Sequence, residues 1–137
     1  MLHPTMKRLS FLLIVLLSVF SLHAQDEVKD KVVSALGSGN APGLAQVMVA
    51  NVDLTLPTAS DFYSKAQAEQ ILRKFFEQHA PKGMTIEHEG TSHVGDSYYI
   101  GTLRTANGDF RVTFFLKKPA EAYQLKQLRI ETGKADR

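Results

Sequence analysis

Glu87-His88-Glu89, followed by His93, is the densest grouping of metal-ligating side-chain types in this chain of 137 residues. Zinc and its neighbours need three or four such groups converging on one point. On a β-strand, however, Glu87 and Glu89 point to one side and His88 to the other, and His93 reaches His88 only through a bend. The segment therefore reads as a polar strand edge, and neither a metal nor a cofactor is expected. Acid–base chemistry has three candidates: Asp53, Asp61 and His79. A carboxylic acid in an apolar pocket can act as a proton-transfer base, the arrangement that an isomerase, a dehydratase or a hydrolase needs. The plainer reading makes both aspartates loop or sheet-edge groups and His79 the boundary of an apolar helical stripe. The sequence contains no nucleophile elbow, phosphate-binding loop, dinucleotide fingerprint or zinc-protease motif.

The helix that should carry His79 is the clearest element. Ser64-Lys65-Ala66-Gln67 is a capping box, in which serine and glutamine satisfy each other's free amides. Behind it Ala68, Ile71, Leu72, Phe75, Phe76 and His79 recur along one helical face. Pro81 ends the helix and Gly83 turns the chain. Upstream, Asp26-Glu27 opens a short helix with Val28, Val32, Ala35 and Leu36 on one side. Its acids complement the helix dipole, and Gly37-Ser38-Gly39 stops it. Asn40 caps a second short helix through Val49. Val52 to Leu56 then alternates as a strand that Pro57 ends.

Four further strands follow, over about 85–94, 97–106, 109–118 and 123–131, with reversals at Gly95-Asp96 and Pro119-Ala120. Asn107-Gly108 signals a two-residue type I′ hairpin, which needs positive φ at both positions. That turn sets Thr105 opposite Phe110, Leu103 opposite Val112, Gly101 opposite Phe114 and Tyr99 opposite Leu116 on the core face. The other face pairs Tyr98 with Lys117, Ile100 with Phe115, Thr102 with Thr113 and Arg104 with Arg111. A solvated face does not ordinarily put Ile100 on Phe115 beside Tyr98. These three are read as an interface, most simply a homodimer through the sheet; a covering terminus or loop is the other reading. Arg104 against Arg111 is repulsive unless an acid or an anion stands nearby. Tyr123 and Leu125 share one parity, Leu128 and Ile130 the other. One residue must therefore be inserted near Lys126-Gln127, a β-bulge that bends the sheet.

Met6-Lys7-Arg8 and the apolar run from Leu9 to Phe20 have the layout of a secretory signal peptide, cut after Ala24. The run is shorter than the roughly 20 residues that a membrane span takes. Either Met1 or Met6 is the start. The expected product is one domain over residues 25–137, periplasmic or secreted, with no stable membrane anchor once the leader is gone. The chain has no cysteine, hence no disulfide, thiolate metal site or thiol nucleophile. It must hold together by burial, and a chain of this size buries roughly two thirds of its unfolded surface. Lysine and arginine total 16 against 14 acids. Lys7 and Arg8 leave with the leader, so the product is neutral and offers no basic stripe for nucleic acid.

Helix, helix, short strand, long helix and a curved meander of four strands resemble the cone-shaped α+β roll of the nuclear transport factor two-like superfamily. Ketosteroid isomerase, scytalone dehydratase and limonene-epoxide hydrolase belong to it. More closely, Ser64-Lys65-Ala66-Gln67-Ala68-Glu69, Phe75-Phe76, Ile100-Gly101-Thr102-Leu103, Arg111-Val112 and Leu128-Arg129-Ile130-Glu131 resemble a small exported bacterial family of unknown function within it. The resemblance implies an α+β fold with two short helices, one long helix and a strongly curved, mainly antiparallel sheet. It implies no activity: that family has none assigned, and the enzymatic members' acid and tyrosine constellations find no residue-by-residue counterpart here. The leading expectation is an exported non-catalytic domain that binds a small apolar ligand or a protein partner. Its pocket, between bent sheet and long helix, would draw on Phe75, Phe76, Tyr99, Leu103, Phe114 and Leu128. The rivals are a small isomerase-, dehydratase- or hydrolase-type enzyme with an acid in that pocket, and a purely structural dimerisation module.

Overall fold

The computed structural model describes residues 24–117 and 122–133. Residues 1–23 of the leader read over 1–24, and the reversal at Pro119-Ala120, lie outside them. Among the described residues there are three helices: α1 over 24–38, α2 over Ala41–Gln46 and α3 over Lys65–Gln78. The strands are β1 (Met48–Leu56), β2 (Ala59–Ser64), β3 (Pro81–Thr91), β4 (Ser97–Thr105), β5 (Gly108–Lys117) and β6 (Gln124–Thr132). They form one open sheet in the order β2-β1-β6-β5-β4-β3. Only β1 and β6 run parallel.

Local chemistry explains the helices. Asn40 Nδ and Oδ groups sit at the start of α2, where Oδ1 accepts from the Gly43 amide at 3.0 Å. Helix α1 closes with Gly39 N donating to Leu36 O and Asn40 N donating to Ala35 O, the paired bonds of a Schellman ending. The capping box of α3 is complete, with Ser64 Oγ accepting from Gln67 N and Gln67 Oε1 accepting from Ser64 N. Behind it Ala68, Leu72, Phe75 and Phe76 are buried. They join Val32 and Leu36 of α1, Leu44 of α2 and the inward side chains of the sheet in one core. Helix α2 is shorter than its capping signal suggested, because Met48 to Asn51 are drawn into β1 and Met48 pairs with Leu125.

The bulge lies where the parity change requires it. Phe115 faces Gln127 while Leu116 faces Leu125, which leaves Lys126 as the extra residue. Leu125, Leu128 and Ile130 are consequently all fully buried. Lys126 is sent to the outer side, where its ammonium pairs with Asp96 in the β3–β4 turn. Among the described residues Asp96 is the one buried charged side chain.

The β4–β5 hairpin departs from the expected register. Thr105 faces Gly108, Leu103 faces Phe110, Gly101 faces Val112 and Tyr99 faces Phe114. Each partner is displaced by two residues, so the same side chains still reach the core. Positive φ occurs at Gly108 (123°) but at no non-glycine residue described, so Asn107 cannot complete a type I′ turn. The reason is tertiary: Asn107 is engaged with the end of α3, its Nδ2 donating to Gln78 O at 3.2 Å. Arg104 accordingly faces Asp109 instead of Arg111, and Arg111 faces Thr102 and Glu131. The expected like-charge pair is absent, replaced by opposite charges across the strands.

Strand β3 begins at Pro81, four residues before the expected start, since an edge strand tolerates a proline at its first position. Gly83 therefore lies inside this strand and does not turn the chain; Arg104 Nη2 occupies the space a Cβ would need there. Strand β2 was not anticipated. Only Tyr63 and Ala59 in it are even half-buried, so its sequence carries almost no alternation, and pairing with β1 supplies its structure. A second irregularity in β3, between Ile86 and His88, brings its backbone onto β4. A Cβ on Gly101 would stand 2.0 Å from Thr85 O.

Gly101→Ala should therefore force the β3 backbone away and cost about 1–3 kcal/mol, read as a lower denaturant midpoint. Lys126→Ala should cost about 1–2 kcal/mol by stranding the Asp96 carboxylate. An unchanged midpoint in either variant would contradict these contacts.

Candidate functional site

The sequence candidates do not converge. Leu54 is a core residue and its partner across the β1–β2 ladder is Asp61, whereas Asp53 faces Phe62. Neighbouring pairs alternate across a sheet, so the two carboxylates project from opposite faces. Asp61 is exposed on the edge strand and accepts from the Phe62 amide at 2.8 Å. His79 stands far along the chain as the C-cap of α3. Its ring lies between Phe75 and Phe110, at 4.8 and 4.9 Å between centroids. Its Nδ1 is 3.0 Å from Asn107 Oδ1, which places the ring proton on Nδ1. Asn107 thus holds both the imidazole and the last carbonyl of α3, and links the helix end to the hairpin.

Glu87, His88 and Glu89 are separated by the β3 irregularity, not by simple alternation. Thr102 donates to Glu87 at 3.2 Å, and His88 faces Ile100, so both acid and imidazole belong to the outer side. Glu89 faces Tyr99 and reaches Lys29 of α1 at 3.5 Å. The expectation that the two glutamates share a face fails because one inserted residue inverts the parity between them. Among the described residues, no group of three or more potential metal ligands comes together.

The six residues expected to wall a pocket lie inside the core, each with 6% or less of its surface exposed. Tyr99 stacks on Phe114 at 4.9 Å, and Phe75 meets Phe76 and Phe110 edge-on at 5.8 and 5.1 Å. Such contacts fill space with aromatic carbon. Two clefts described in this structure are lined by other side chains. One, of about 460 Å³, lies between α1 and α2 beside Glu27, Asp30, Lys31 and Asn40. The other, of about 380 Å³, lies on the outer side of the sheet beside Val49, Asn51, Asp53, Phe62, Lys126 and Gln127.

That outer side carries Tyr98, Ile100 and Phe115, the three residues read as an interface, and Phe62 besides. Cross-strand partners place Phe62, Asp53, Gln127, Phe115, Tyr98 and Gly90 in one row across all six strands. Phe62 is 60% exposed. The Tyr98 and Phe115 rings lie 5.7 Å apart, and Tyr98 leans over Gly90, where its hydroxyl occupies the space of a Cβ. Ile100, on the adjacent row with Thr113 and His88, borders the same rings. Phe62 is not legible in the sequence because the strand that presents it carries no periodic signal of its own.

Comparison with known proteins bears on the fold and on the family. Residues 29–131 match the model of a domain of unknown function, DUF4783. A DUF4783 family protein from Bacteroides fragilis is 33% identical, with 74% of this chain and 95% of that chain covered and a TM-score of 0.68. One from Bacteroides uniformis is 31% identical, covering 77% and 96%, with a TM-score of 0.70. A cystatin-like domain of unknown function from Nostoc punctiforme shares the fold at 11% identity, covering 80% and 75%, with a TM-score of 0.61. So does an NTF2 chain with a long sheet, at 14% identity, covering 77% and 97%, also at 0.61. Among curated proteins none matches.

Titration calorimetry with zinc is expected to give no binding heat. A saturable one-to-one heat that disappears in His88→Ala would overturn this reading of the β3 acids and imidazole.

Proposed function

This chain belongs to the DUF4783 family, and on that premise we propose that it is an exported, non-catalytic association module that works through the outer face of its sheet. The observation that carries the reading is the row Phe62–Asp53–Gln127–Phe115–Tyr98, which lies on the side away from the helical core. Rings on an outward face, Phe62 on the β2 edge and the Phe115–Tyr98 pair three strands away, favour an interaction surface. The occupant we assign is a second copy of the chain. Six strands about 4.8 Å apart and about nine residues long make a face of roughly 700 Å², close to what one partner of a standard interface contributes.

The row also suits self-association. A two-fold axis between two sheets, parallel to the strands and centred between β5 and β6, reverses the row on its copy. Phe62 of one copy then meets the Tyr98 end of the other, and Gln127 meets Phe115. Charges of both signs, Asp53 and Lys126 among them, lie on the same face, so neither copy presents a uniform field to the other. A second reading has its own observation: the 380 Å³ cleft beside Phe62 offers a small apolar ligand one aromatic wall, with Asn51 and Gln127 also in its lining. Catalysis is not part of the proposal, since Asp53 and Asp61 face opposite ways and His79 is engaged with Asn107.

Light scattering of the purified protein at about 0.1 mM should give twice the chain mass, and Phe115→Asp should return the mass to one chain by burying a charge between the sheets. A wild-type mass of one chain, or a variant that keeps the double mass, would refute the sheet-face dimer.

A further inference from the structure

Gln25, the residue that follows the expected leader cut, is held by its side chain. Its Nε2 donates to Ser97 Oγ at 2.8 Å and to Tyr99 Oη at 2.9 Å. Tyr99 is buried to its hydroxyl, so this amide supplies a partner where water has little access. One turn further along α1 stands Lys29, whose ammonium lies 5.4 Å above the Tyr99 ring and reaches Glu89. The start of α1 is thereby fastened to β3 and β4.

A glutamine exposed as the first residue of a chain has a reaction open to it. Its free α-amine attacks the side-chain amide carbon; the new C–N bond closes a five-membered lactam, the bond from that carbon to Nε2 breaks, and ammonia leaves. The atom lost is the donor that binds Ser97 and Tyr99. We propose that the Ser97–Tyr99 hydroxyl pair is a docking site for the amide of an N-terminal Gln25 and protects that residue from cyclisation. The inference rests on the proposed removal of the leader after Ala24. While Nε2 is docked, the amide carbon is kept from the amine, so only the undocked fraction reacts. Two hydrogen bonds, one to the hydroxyl of a buried tyrosine, hold that fraction to about one tenth.

The test expresses the full chain in a secreting bacterial host, isolates the exported protein and follows its intact mass and N-terminal peptide during incubation at neutral pH. The expected N-terminus is an uncyclised Gln25. Ammonia loss should be about tenfold slower in the native protein than in the same protein unfolded in urea, and Ser97→Ala with Tyr99→Phe should cyclise at close to the unfolded rate. Should the double variant not fold, Ser97→Ala alone is to give an intermediate rate. An N-terminus at another residue would refute the cut, and with it the premise. A chain that begins at Gln25 but arrives cyclised, or cyclises equally fast folded and unfolded, would refute the docking site while leaving the cut in place.

Discussion

Lys126 is the residue on which the sheet turns. Without an insertion at this point in β6, Leu125 could face the core only if Leu128 and Ile130 faced water. Burying each of those side chains contributes about 1.5–3 kcal/mol. A disrupted ladder bond costs about 1 kcal/mol, so the bulge is favoured by a wide margin. The same insertion aims Lys126 outward, and its pairing with Asp96 ties the β3–β4 turn to the far side of β5. Curvature, core and turn therefore share one cause.

Curvature in turn decides which surfaces are left for function. The helices and the inner face close around aromatic side chains that stack on one another, so the interior is occupied by the protein itself. What this leaves to the solvent is the outer face, a broad surface that carries both polar and aromatic groups. The two aspartates that invite a catalytic reading are divided between these faces by the alternation of the β1–β2 ladder. Asp53 and Asp61 consequently have different neighbours and do not act as one pair.

Most of the helical architecture was legible. The capping box at Ser64, the asparagine cap at Asn40 and the glycine stop at Gly39 are local chemistry, settled within four residues of chain. The inward residues of β4, β5 and β6 were legible as well, since parity survives a two-residue change of register. Other features were not. The hairpin partner of each residue was misjudged because Asn107 bonds α3, which no short-range turn rule includes. The parity of Glu87 and Glu89 was misjudged because the β3 irregularity leaves no apolar trace in a strand that is mostly polar outside. Strand β2, and with it Phe62, was invisible for the same reason.

By itself, then, the sequence determined the order of elements other than β2, the caps and the set of side chains that must be buried, because each follows from backbone geometry and water exclusion over a few residues. Only the tertiary structure decided which strands meet, where Arg104 and Arg111 find their partners, and which aromatic rings line up on the outer face. Those outcomes depend on register and on contacts between segments far apart in the chain. A shift of two residues changes every cross-strand neighbour while leaving the hydrophobic pattern untouched.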